Sequence, residues 1–345
     1  MTETRIRDSW AVVGLDNGGT TDNATVLDAS GRFLVDRLVE VPSRVQEGPD
    51  AAVEALVLAL ENVLELTGTP REAVRAVGLD TPGPASADGV ISSKGATNFA
   101  QPAWWGFDFR AALQTRLDLP VVYNNDGNAA ALYAHHARHG DQAARHSSIA
   151  AIVGTGLGGG VVEAGVVVRG AAGMAGELGH IQIPMQGLLE EDQPVPVCNC
   201  GLAADVESVA SLTGIEKNLL PYWLTRFEGH ELGRAESPAK AAKLVRGYAE
   251  NRDPMAIKIF EQQAMALGRL FTIAANFTDP TTYFVGGGVV ETVPWFRDWF
   301  LDTVREHTVL REEQERAAAF ALVPDLDMAG ARGAAVAAMG WLQGR

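Results

Sequence analysis

A carboxylate followed by glycines is the first candidate for chemistry in this chain. Asp16 ends an apolar run and is followed by Asn17-Gly18-Gly19-Thr20. Glycines let a backbone approach a phosphate and point its N–H groups at it, and a carboxylate at a strand end can reach Mg²⁺. A hairpin turn would need the same glycines for its geometry. The motif therefore predicts a phosphate site with a cation ligand, or a turn alone.

Two later glycine runs favour the phosphate interpretation. Five of the seven residues from Gly154 to Gly160 are glycine, and Gly286 to Gly288 are three more. Glycine is entropically costly in a folded chain, so this density indicates close approach by a ligand. The first two turns could hold a polyphosphate from both sides, and the third would leave room for adenine or ribose. The Gly-Lys-Ser/Thr ending of a P-loop does not occur in the sequence.

Asp126 is the candidate for a general base. It lies in the run Asn124-Asn125-Asp126-Gly127-Asn128, between a predicted strand and a predicted helix. Ligands of open α/β sheets bind at the carboxyl ends of strands, and a carboxylate there can take the proton of an attacking hydroxyl. Asn125 could hydrogen-bond a neighbouring hydroxyl. The alternative is that Asp126 or Asn128 only caps the helix expected at 129–139.

A third group combines carboxylates, a histidine and the two cysteines of the chain. Glu177 and His180 could offer an acceptor and a donor to adjacent sugar hydroxyls, or they could be satisfied within a turn. Cys198 and Cys200 are separated by one residue, which is too close for an ordinary structural disulfide but suits a metal. Two thiolates with His180 and Asp205 would fill a four-coordinate zinc site, whereas the alternative is two free thiols in a loop.

The elements that must position these residues repeat in the two halves of the chain. Each half opens with a strand, a glycine turn and more strand, and continues with alternating helices and strands. This alternation predicts an α/β fold of mixed sheets covered by helices, duplicated as two lobes that face each other across a central cleft. The predicted domains are residues 1–132, joined by a C-terminal helix over 331–345, and residues 133–330. Strands are expected at 11–16, 23–28, 32–41, 74–79, 120–123, 148–153, 161–168, 282–285 and 319–323, and helices at 50–67, 109–117, 129–139, 254–277, near Trp295 and from Ala331.

The composition limits the class of protein. Hydrophobic residues make up 47% of the 345 residues and charged residues 21%, which is the profile of a folded globular protein. The formal net charge of −15 argues against a nucleic-acid partner, because phosphate binding needs clustered basic residues. The sequence shows neither a signal peptide nor a membrane-spanning run, so we expect a cytoplasmic protein with no membrane partner.

The order of these motifs resembles the ROK family of sugar kinases and sugar-responsive repressors. The shared motifs are Asp-x-Gly-Gly-Thr, Asn-Asp-x-Asn-Ala-Ala, Gly-Thr-Gly-x-Gly-Gly-Gly, Glu-x-Gly-His, Cys-x-Cys-Gly and a late Gly-Gly-Gly. The resemblance implies the duplicated actin-like, ribonuclease H-like fold. It also implies a kinase that uses ATP with Mg²⁺, binds a sugar and forms a homodimer.

Carried over residue by residue, the resemblance makes Asp126 the catalytic base. It assigns one set of residues to the sugar, a second to the nucleotide and its cation, and a third to structural Zn²⁺. These sets are Asn98, Asn125, Asp126, Glu177, His180 and Glu207 for the sugar; Asp16, Gly18, Gly19, Thr20, Thr155, Gly156, Gly287 and Gly288 for the nucleotide; and His180, Cys198, Cys200 and Asp205 for zinc.

The sequence departs from the family pattern in places that bear on these assignments. Asp205 stands where the family has a third cysteine, and Ala204 replaces the preceding glycine. The segments from Asn98 to Trp105 and from Pro184 to Val197 are longer than is usual in the family, which bears on the sugar contacts and on the sugar recognised.

We therefore expect an ATP-dependent hexose kinase of the glucokinase type, acting on the glucose 6-hydroxyl. The alternatives are a kinase for mannose, fructose or an N-acetylated amino sugar, and a non-catalytic sugar-binding regulator without a DNA-binding module. Only about ten residues precede the first predicted strand, too few for the helix-turn-helix domain of the repressor members.

Overall fold

The computed structural model describes residues 10–83, 85–92 and 97–344. The chain forms two compact units. The first contains the described residues up to His146, Gly160–Gly176 and the residues from Val323 onward, and the second contains Ser147–Gly159 and Glu177–Leu322. This division follows packing and does not test where independently folding domains end, so the boundary at residue 132 stays a prediction.

Strands and helices alternate along most of the chain. No helix within the described residues is both long enough and apolar enough to cross a membrane. The strands are β1 (Ala11–Asn17), β2 (Thr21–Asp28), β3 (Glu40–Pro42), β4 (Val74–Thr81), β5 (Val121–Asn125), β6 (Ser147–Val153), β7 (Leu157–Glu163), β8 (Val166–Val167), β9 (Thr282–Gly286) and β10 (Ala319–Leu322). The helices are α1 (Pro49–Thr67), α2 (Phe109–Leu117), α3 (Asp126–His139), α4 (Leu212–Gly214), α5 (Leu220–Arg226), α6 (Pro238–Glu250), α7 (Pro254–Phe277), α8 (Pro294–Glu306), α9 (Glu312–Ala317) and α10 (Leu326–Leu342).

The two sheets have the same strand order. In the first sheet the order is β3-β2-β1-β4-β5, with β1 and β2 antiparallel and with β4 parallel to both of its neighbours. In the second sheet the order is β8-β7-β6-β9-β10, with β7 and β8 antiparallel and with β9 parallel to both of its neighbours. The duplicated α/β fold expected from the sequence is confirmed.

Helices α1 and α2 cover one face of the first sheet because their apolar residues recur at helical spacing. Leu56, Leu60 and Val63 of α1 are fully buried in one cluster with Leu15 and Leu79 of the sheet. Each such side chain contributes about 1.5–3 kcal/mol through its burial. A proline at the first position of α1 and a left-handed glycine after its last residue define its ends.

The other face of the first sheet is lined by glycines, which let α10 pack against the backbone of the strands. A Cβ atom at Gly14 or at Gly78 would lie 1.9 Å from a carbonyl oxygen of α10. Gly333 of α10 likewise allows close packing against α3, because a Cβ atom there would lie 1.8 Å from the Ala129 carbonyl oxygen. Only glycine fits at these three positions, and α10 is thereby held over β1 and β4 close to α3.

In the second unit, the long helix α7 packs beside α6 and α8. It begins where the Asp253 carboxylate accepts a hydrogen bond from the Ala256 N–H group, at 2.9 Å. Every residue of β9 is buried, as is typical of a strand between two parallel neighbours.

Three predicted segments differ from the structure. The strand expected at 161–168 is interrupted, because β7 ends at Glu163 and a turn precedes β8. The strand expected at 32–41 is wrong, because only Glu40–Pro42 is a strand and the rest makes scattered hydrogen bonds to β2. The glycine turn expected at 154–160 ends near Gly156, because Leu157 already begins β7. The last three glycines of this run therefore belong to a strand, where they allow close packing rather than a turn.

Candidate active site

The first glycine motif is a tight hairpin turn in the first unit. The Gly18 N–H group donates to the Thr21 carbonyl oxygen at 3.0 Å, and a Cβ atom at Gly18 would lie 2.5 Å from that oxygen. A Cβ atom at Gly19 would lie 2.6 Å from Oδ1 of Asn98. Neither glycine has a positive φ, so space and not backbone conformation requires them. Thr20 is exposed at the tip of the turn.

Asn98 therefore lies against the turn of the first glycine motif. Its side chain is half-buried, and its backbone carbonyl accepts a hydrogen bond from Nε2 of Gln46 at 3.4 Å. In the segment that follows, Trp104 is fully buried among phenylalanines and donates from Nε1 to the Val45 carbonyl oxygen at 3.0 Å. Trp104 thus serves packing, whereas Trp105 is half exposed.

Three polar residues lie side by side at the carboxyl ends of β1, β4 and β5. In the parallel register, Asp16 pairs with Asp80 and Asp80 pairs with Asn124. Residues paired in this way point to the same face of a sheet. Asn124 is oriented by Arg169, whose Nη2 donates to its Oδ1 at 3.1 Å. Asp80 and Arg169 were not predicted from the sequence as site residues. A signal for Asp80 was present, because Asp80 ends an apolar run in the same way as Asp16 does.

The two paired carboxyl groups have raised pKa values. Burial, followed by the charge of Asp126, raises the pKa of Asp16 to about 7, although a hydrogen bond with the Asp80 carboxyl opposes the rise. Burial also raises the pKa of Asp80, followed by the charges of Asp16 and Asp126. Like charges close together in a poorly solvated place favour binding of a proton or of a cation.

Asp126 is the first residue of α3 and its side chain is exposed. The cap of this helix is Asn125, whose Oδ1 accepts from the Gly127 N–H group at 2.9 Å. Oδ1 of Asp126 accepts from the same N–H group at 2.7 Å. The positive end of a helix stabilises a carboxylate. Both side chains thus accept from the first turn of α3, and Asp126 also presents an exposed carboxylate at the end of β5.

The glycine turn of the second unit is supported by the segment after Glu207. The Gly154 N–H group donates to the Gly156 carbonyl oxygen at 2.9 Å. The Thr155 carbonyl oxygen accepts from the Thr213 N–H group at 3.1 Å and from its hydroxyl at 2.8 Å. Thr155 itself is exposed. The turn is therefore fixed through its carbonyl groups while its other side faces solvent.

The third glycine motif has a position that only glycine can occupy. Gly287 has a φ of 95°, and a Cβ atom there would lie 2.1 Å from the Val153 carbonyl oxygen. The carbonyl oxygen of the next residue, Gly288, accepts a hydrogen bond from Nη1 of Arg246. The turn after β9 is thus held against the end of β6.

The structure brings the four predicted zinc ligands together. One ligand atom from each of His180, Cys198, Cys200 and Asp205 lies within 4.8 Å of all the others. Nδ1 of His180 is 3.2 Å from Oδ2 of Asp205, 3.6 Å from Sγ of Cys200 and 4.0 Å from Sγ of Cys198. Zinc bonds of about 2.0–2.3 Å in a tetrahedron separate ligand atoms by roughly 3.3–3.8 Å. The ligand atoms are therefore at, or slightly beyond, the separations of a tetrahedral zinc site.

Asp205 is well suited to the place of a third thiolate. It is fully buried, and its Oδ1 accepts from the Ser208 N–H group at 2.9 Å. This hydrogen bond orients the carboxylate so that Oδ2 faces His180. Both cysteines are free thiols. A buried carboxylate held in this way can replace a cysteine ligand.

Glu207 lies between the zinc-ligand cluster and the glycine turn of the second unit. Its Oε2 accepts from the Leu157 N–H group at 2.8 Å, and its Oε1 accepts from the Cys198 thiol at 3.2 Å. A Cβ atom at Gly156 would lie 2.6 Å from Oε2. Glu207 is therefore oriented by the Leu157 N–H group and by the Cys198 thiol.

Glu177 is the remaining residue predicted to bind the sugar. Its side chain is exposed, and it immediately precedes the turn that contains His180.

The histidines of α3 form a packed group. His135 is fully buried. Nε2 of His135 is 3.0 Å from the Ala143 carbonyl oxygen, and its ring centroid is 4.8 Å from that of His139. The His139 ring in turn stacks on His146, with centroids 4.3 Å apart. Burial, together with the charges of the neighbouring histidines, lowers the pKa of His135 to about 4, although the hydrogen bond with the Ala143 carbonyl opposes the decrease.

The chain is similar to one family over nearly its whole length. A family model described as the ROK family matches residues 12–340. A glucokinase from Halalkalibacterium halodurans is 31% identical over 303 residues, which cover 87% of this chain and 85% of that protein. An N-acetylmannosamine kinase from Escherichia coli is 28% identical over 277 residues, which cover 80% of this chain and 82% of that protein.

Solved structures show the same similarity. A ROK hexokinase from Thermus thermophilus has a TM-score of 0.75 and 30% identity, with 97% of this chain and 100% of that chain covered. A ROK family glucokinase from Streptomyces griseus, solved in complex with glucose and AMPPNP, has a TM-score of 0.66 and 27% identity, with 96% and 99% covered.

Proposed function

This chain belongs to the ROK family and is an ATP-dependent sugar kinase, and we propose that it phosphorylates the 6-hydroxyl of glucose with Asp126 as the general base. The observation that carries the proposal is the exposed carboxylate of Asp126 at the positive end of α3. A sugar hydroxyl has a very high pKa, so a positioned carboxylate accelerates transfer by accepting its proton as it attacks the γ-phosphorus.

The glycine turns supply the anion-binding groups in this proposal. Gly18, Gly19 and Thr20 in the first unit, and Thr155 and Gly156 in the second, offer backbone N–H groups and hydroxyls to the phosphates of ATP. Asp16 is the carboxylate that we assign to Mg²⁺, which would neutralise charge on the phosphoryl oxygens when bound with ATP. Gly287 and Gly288 leave room for the adenosine.

Several polar side chains are assigned to the sugar in this proposal. The Oδ1 atom of Asn125 caps α3, so its Nδ2 group is the one that we expect to donate to a sugar hydroxyl. Nδ1 of His180 faces Asp205, which leaves Nε2 of the same ring as the donor or acceptor toward the sugar. Asn98, Glu177 and Glu207 complete the set that the resemblance assigns.

We also propose a structural zinc ion held by His180, Cys198, Cys200 and Asp205, whose ligand atoms lie within 4.8 Å of one another. Zinc, when bound, would cross-link the loop that carries Glu207 and fix the His180 ring. A cytoplasmic homodimer is the assembly that the resemblance to the family implies.

The experiment that tests the function measures ADP release with Mg-ATP against glucose, mannose, fructose, N-acetylglucosamine and N-acetylmannosamine. We expect turnover with glucose, and a decrease of about 10²–10⁴-fold in kcat for Asp126→Asn with little change in KM. The control is Asp118→Asn, an exposed aspartate that follows the end of α2. Near-normal kcat in Asp126→Asn would exclude the base, and turnover only with an acetylated sugar would exclude glucose.

The second candidate substrate is N-acetylmannosamine. It is favoured by the Escherichia coli relative, an N-acetylmannosamine kinase that is almost as similar to this chain as the glucokinases are. The sugar panel distinguishes the two directly, because an N-acetyl group at carbon 2 must fit or clash in the same site.

A further inference from the structure

Asp80 is a buried carboxylate that the proposed function has not used. It lies at the carboxyl end of β4, in parallel register with Asp16, so the two side chains point to the same face of the first sheet. A Cβ atom at Gly330 would lie 2.6 Å from Oδ2 of Asp16 and 2.8 Å from Oδ2 of Asp80. Both carboxylates therefore point an oxygen toward the same place.

The Asp80 carboxylate has no donor that balances it. Its side chain is fully buried, and within the described part of the chain it has no cationic partner and no hydrogen-bond donor except its own backbone N–H group and the Asp16 carboxyl, itself an acid. Burying a carboxylate without a partner costs roughly several kcal/mol, because the ion loses its hydration. A group retained in such a place needs an additional partner, such as a cation, a proton or water.

A cation meets this need more fully than a proton does. One proton shared with Asp16 would give a single hydrogen bond, and the second oxygen of Asp80 would stay without a partner. A hydrated Mg²⁺ ion binds carboxylates and keeps several of its waters, which can donate to further oxygens. Asp16 is only partly buried, so an ion can reach the pair from solvent.

We propose that Asp80 is a second carboxylate of the divalent-cation site and acts together with Asp16. This inference rests on the proposed kinase function for the role of the ion as the partner of ATP. It assigns Asp80 to the ion and leaves Asp126 as the base.

The test measures Mn²⁺ binding to the full-length protein by electron paramagnetic resonance, without nucleotide or sugar. We expect Asp80→Asn to weaken Mn²⁺ binding by roughly tenfold or more, as loss of groups around a metal does. Asp16→Asn should weaken it similarly, and the double variant should lose little more, because both residues serve one ion. Asp118→Asn should bind Mn²⁺ as the wild type does.

A second measurement avoids substitution altogether. In wild-type protein labelled with ¹³C at the aspartate side-chain carboxyl carbons, electron–nuclear double resonance of bound Mn²⁺ should show two coupled carboxyl carbons. A single coupled carbon, or wild-type affinity in folded Asp80→Asn, would overturn the inference and leave a shared proton as the partner of Asp80.

The outcome separates this inference from the proposed function. If wild-type protein phosphorylates no sugar but its Mn²⁺ binding depends on Asp80, the cation site stands and the kinase role fails. If sugar is phosphorylated and Mn²⁺ binding does not depend on Asp80, the kinase role stands and Asp80 has no part in the cation site.

Discussion

Residues of one type take different roles in this protein because their surroundings differ. Asp126 is exposed at the positive end of α3, which favours the charged form that a base needs. Asp80 is fully buried beside Asp16, where the charged form is costly without a partner. Asp205 is also buried, but the Ser208 N–H group and the zinc-ligand cluster give it partners. The roles that we propose for these residues, as base, cation ligand and zinc ligand, therefore follow from their environments and not from the residue type.

The lowered pKa of His135 makes stability depend on pH. The folded-state pKa is about 4 and the ordinary value is 6.5, so an acidic medium protonates the unfolded chain first. The contribution of the neutral His135 side chain to the free energy of unfolding is complete above pH 6.5 and is lost as the pH falls toward 4. His135→Gln can still donate to the Ala143 carbonyl. The loss of unfolding free energy between about pH 7 and about pH 5 should therefore be smaller in this variant than in the wild type, by about 2 kcal/mol.

Urea unfolding of both proteins at the two pH values measures this difference. The control is His136→Gln, which removes a partly buried histidine from the same helix. An identical loss of stability in wild type and His135→Gln would show that His135 does not carry the effect.

We expect Asp205 to contribute to zinc affinity, and we expect a cysteine at the same position to be able to replace it. Asp205→Ala removes a ligand oxygen 3.2 Å from Nδ1 of His180 and should weaken zinc binding by about 10–100-fold. Asp205→Cys restores a thiolate and should retain zinc. Competition with a chromophoric chelator measures the affinities, with the exposed Asp302→Ala as control. Equal zinc affinity in wild type and Asp205→Ala would contradict the site.

At the scale of elements, close packing of α10 positions the carboxylates of the first unit. Gly14 and Gly78 remove the side chains that would hold α10 away from β1 and β4. Gly330, on the same helix, passes next to Asp16 and Asp80. The helix therefore encloses the two carboxylates from one side and contributes to their raised pKa values.

Gly78→Ala should destabilise the protein, because its Cβ atom would lie 1.9 Å from the Ala334 carbonyl oxygen. The cost of such overpacking is about 1–3 kcal/mol. Gly247→Ala is the matched control, since nothing lies within 4 Å of its Cβ position in α6. That change should stabilise by about 0.5–1 kcal/mol, as Gly→Ala does in a helix. Urea midpoints measure both, and an unaltered midpoint in Gly78→Ala would contradict the packing.

At the scale of the whole molecule, the chain leaves the first unit after His146 and completes it from Val323 onward. Helix α10 buries the apolar side chains of one sheet face, including Val12 and Ala76. The core of the first unit therefore contains residues separated by most of the chain length. Its folding cannot be completed until the last helix is available.

Deletion of residues 326–345 should prevent cooperative folding of the first unit. The deletion exposes the glycine-lined face and the cluster around Val12. Limited proteolysis should then cut within β1 to β5, and circular dichroism should show lost helix and no sharp melting transition. The control is deletion of residues 343–345, which follow α10. A wild-type melting temperature after the longer deletion would contradict the role of α10.

Several features of the fold and site could be predicted from the sequence because they depend on neighbouring residues. The helical spacing in α1 and the apolar runs of β1 and β4 define those elements locally. The zinc ligands could be proposed because cysteine, histidine and aspartate have few other reasons to lie so close in the chain. The family and the sugar-kinase activity followed from the order of the motifs and are confirmed.

The segments that the sequence predicted wrongly or incompletely depend on distant partners. The strand expected at 32–41 lacks a partner that would pair with it along its length. His135 is buried because α3 packs against the loop that contains Ala143, which the spacing of the histidines alone does not indicate.

What the sequence by itself determined is which residue types can do chemistry and the order of the elements that carry them. The tertiary structure alone decided that Asp80 lies beside Asp16 and that Glu207 lies between the cluster and the turn. The need for glycine at positions 14, 78 and 333 is explained only by the packing of α10 against the first sheet and α3. The physical reason is that strand register and helix packing join residues far apart in the chain, whereas sequence patterns report only local preferences.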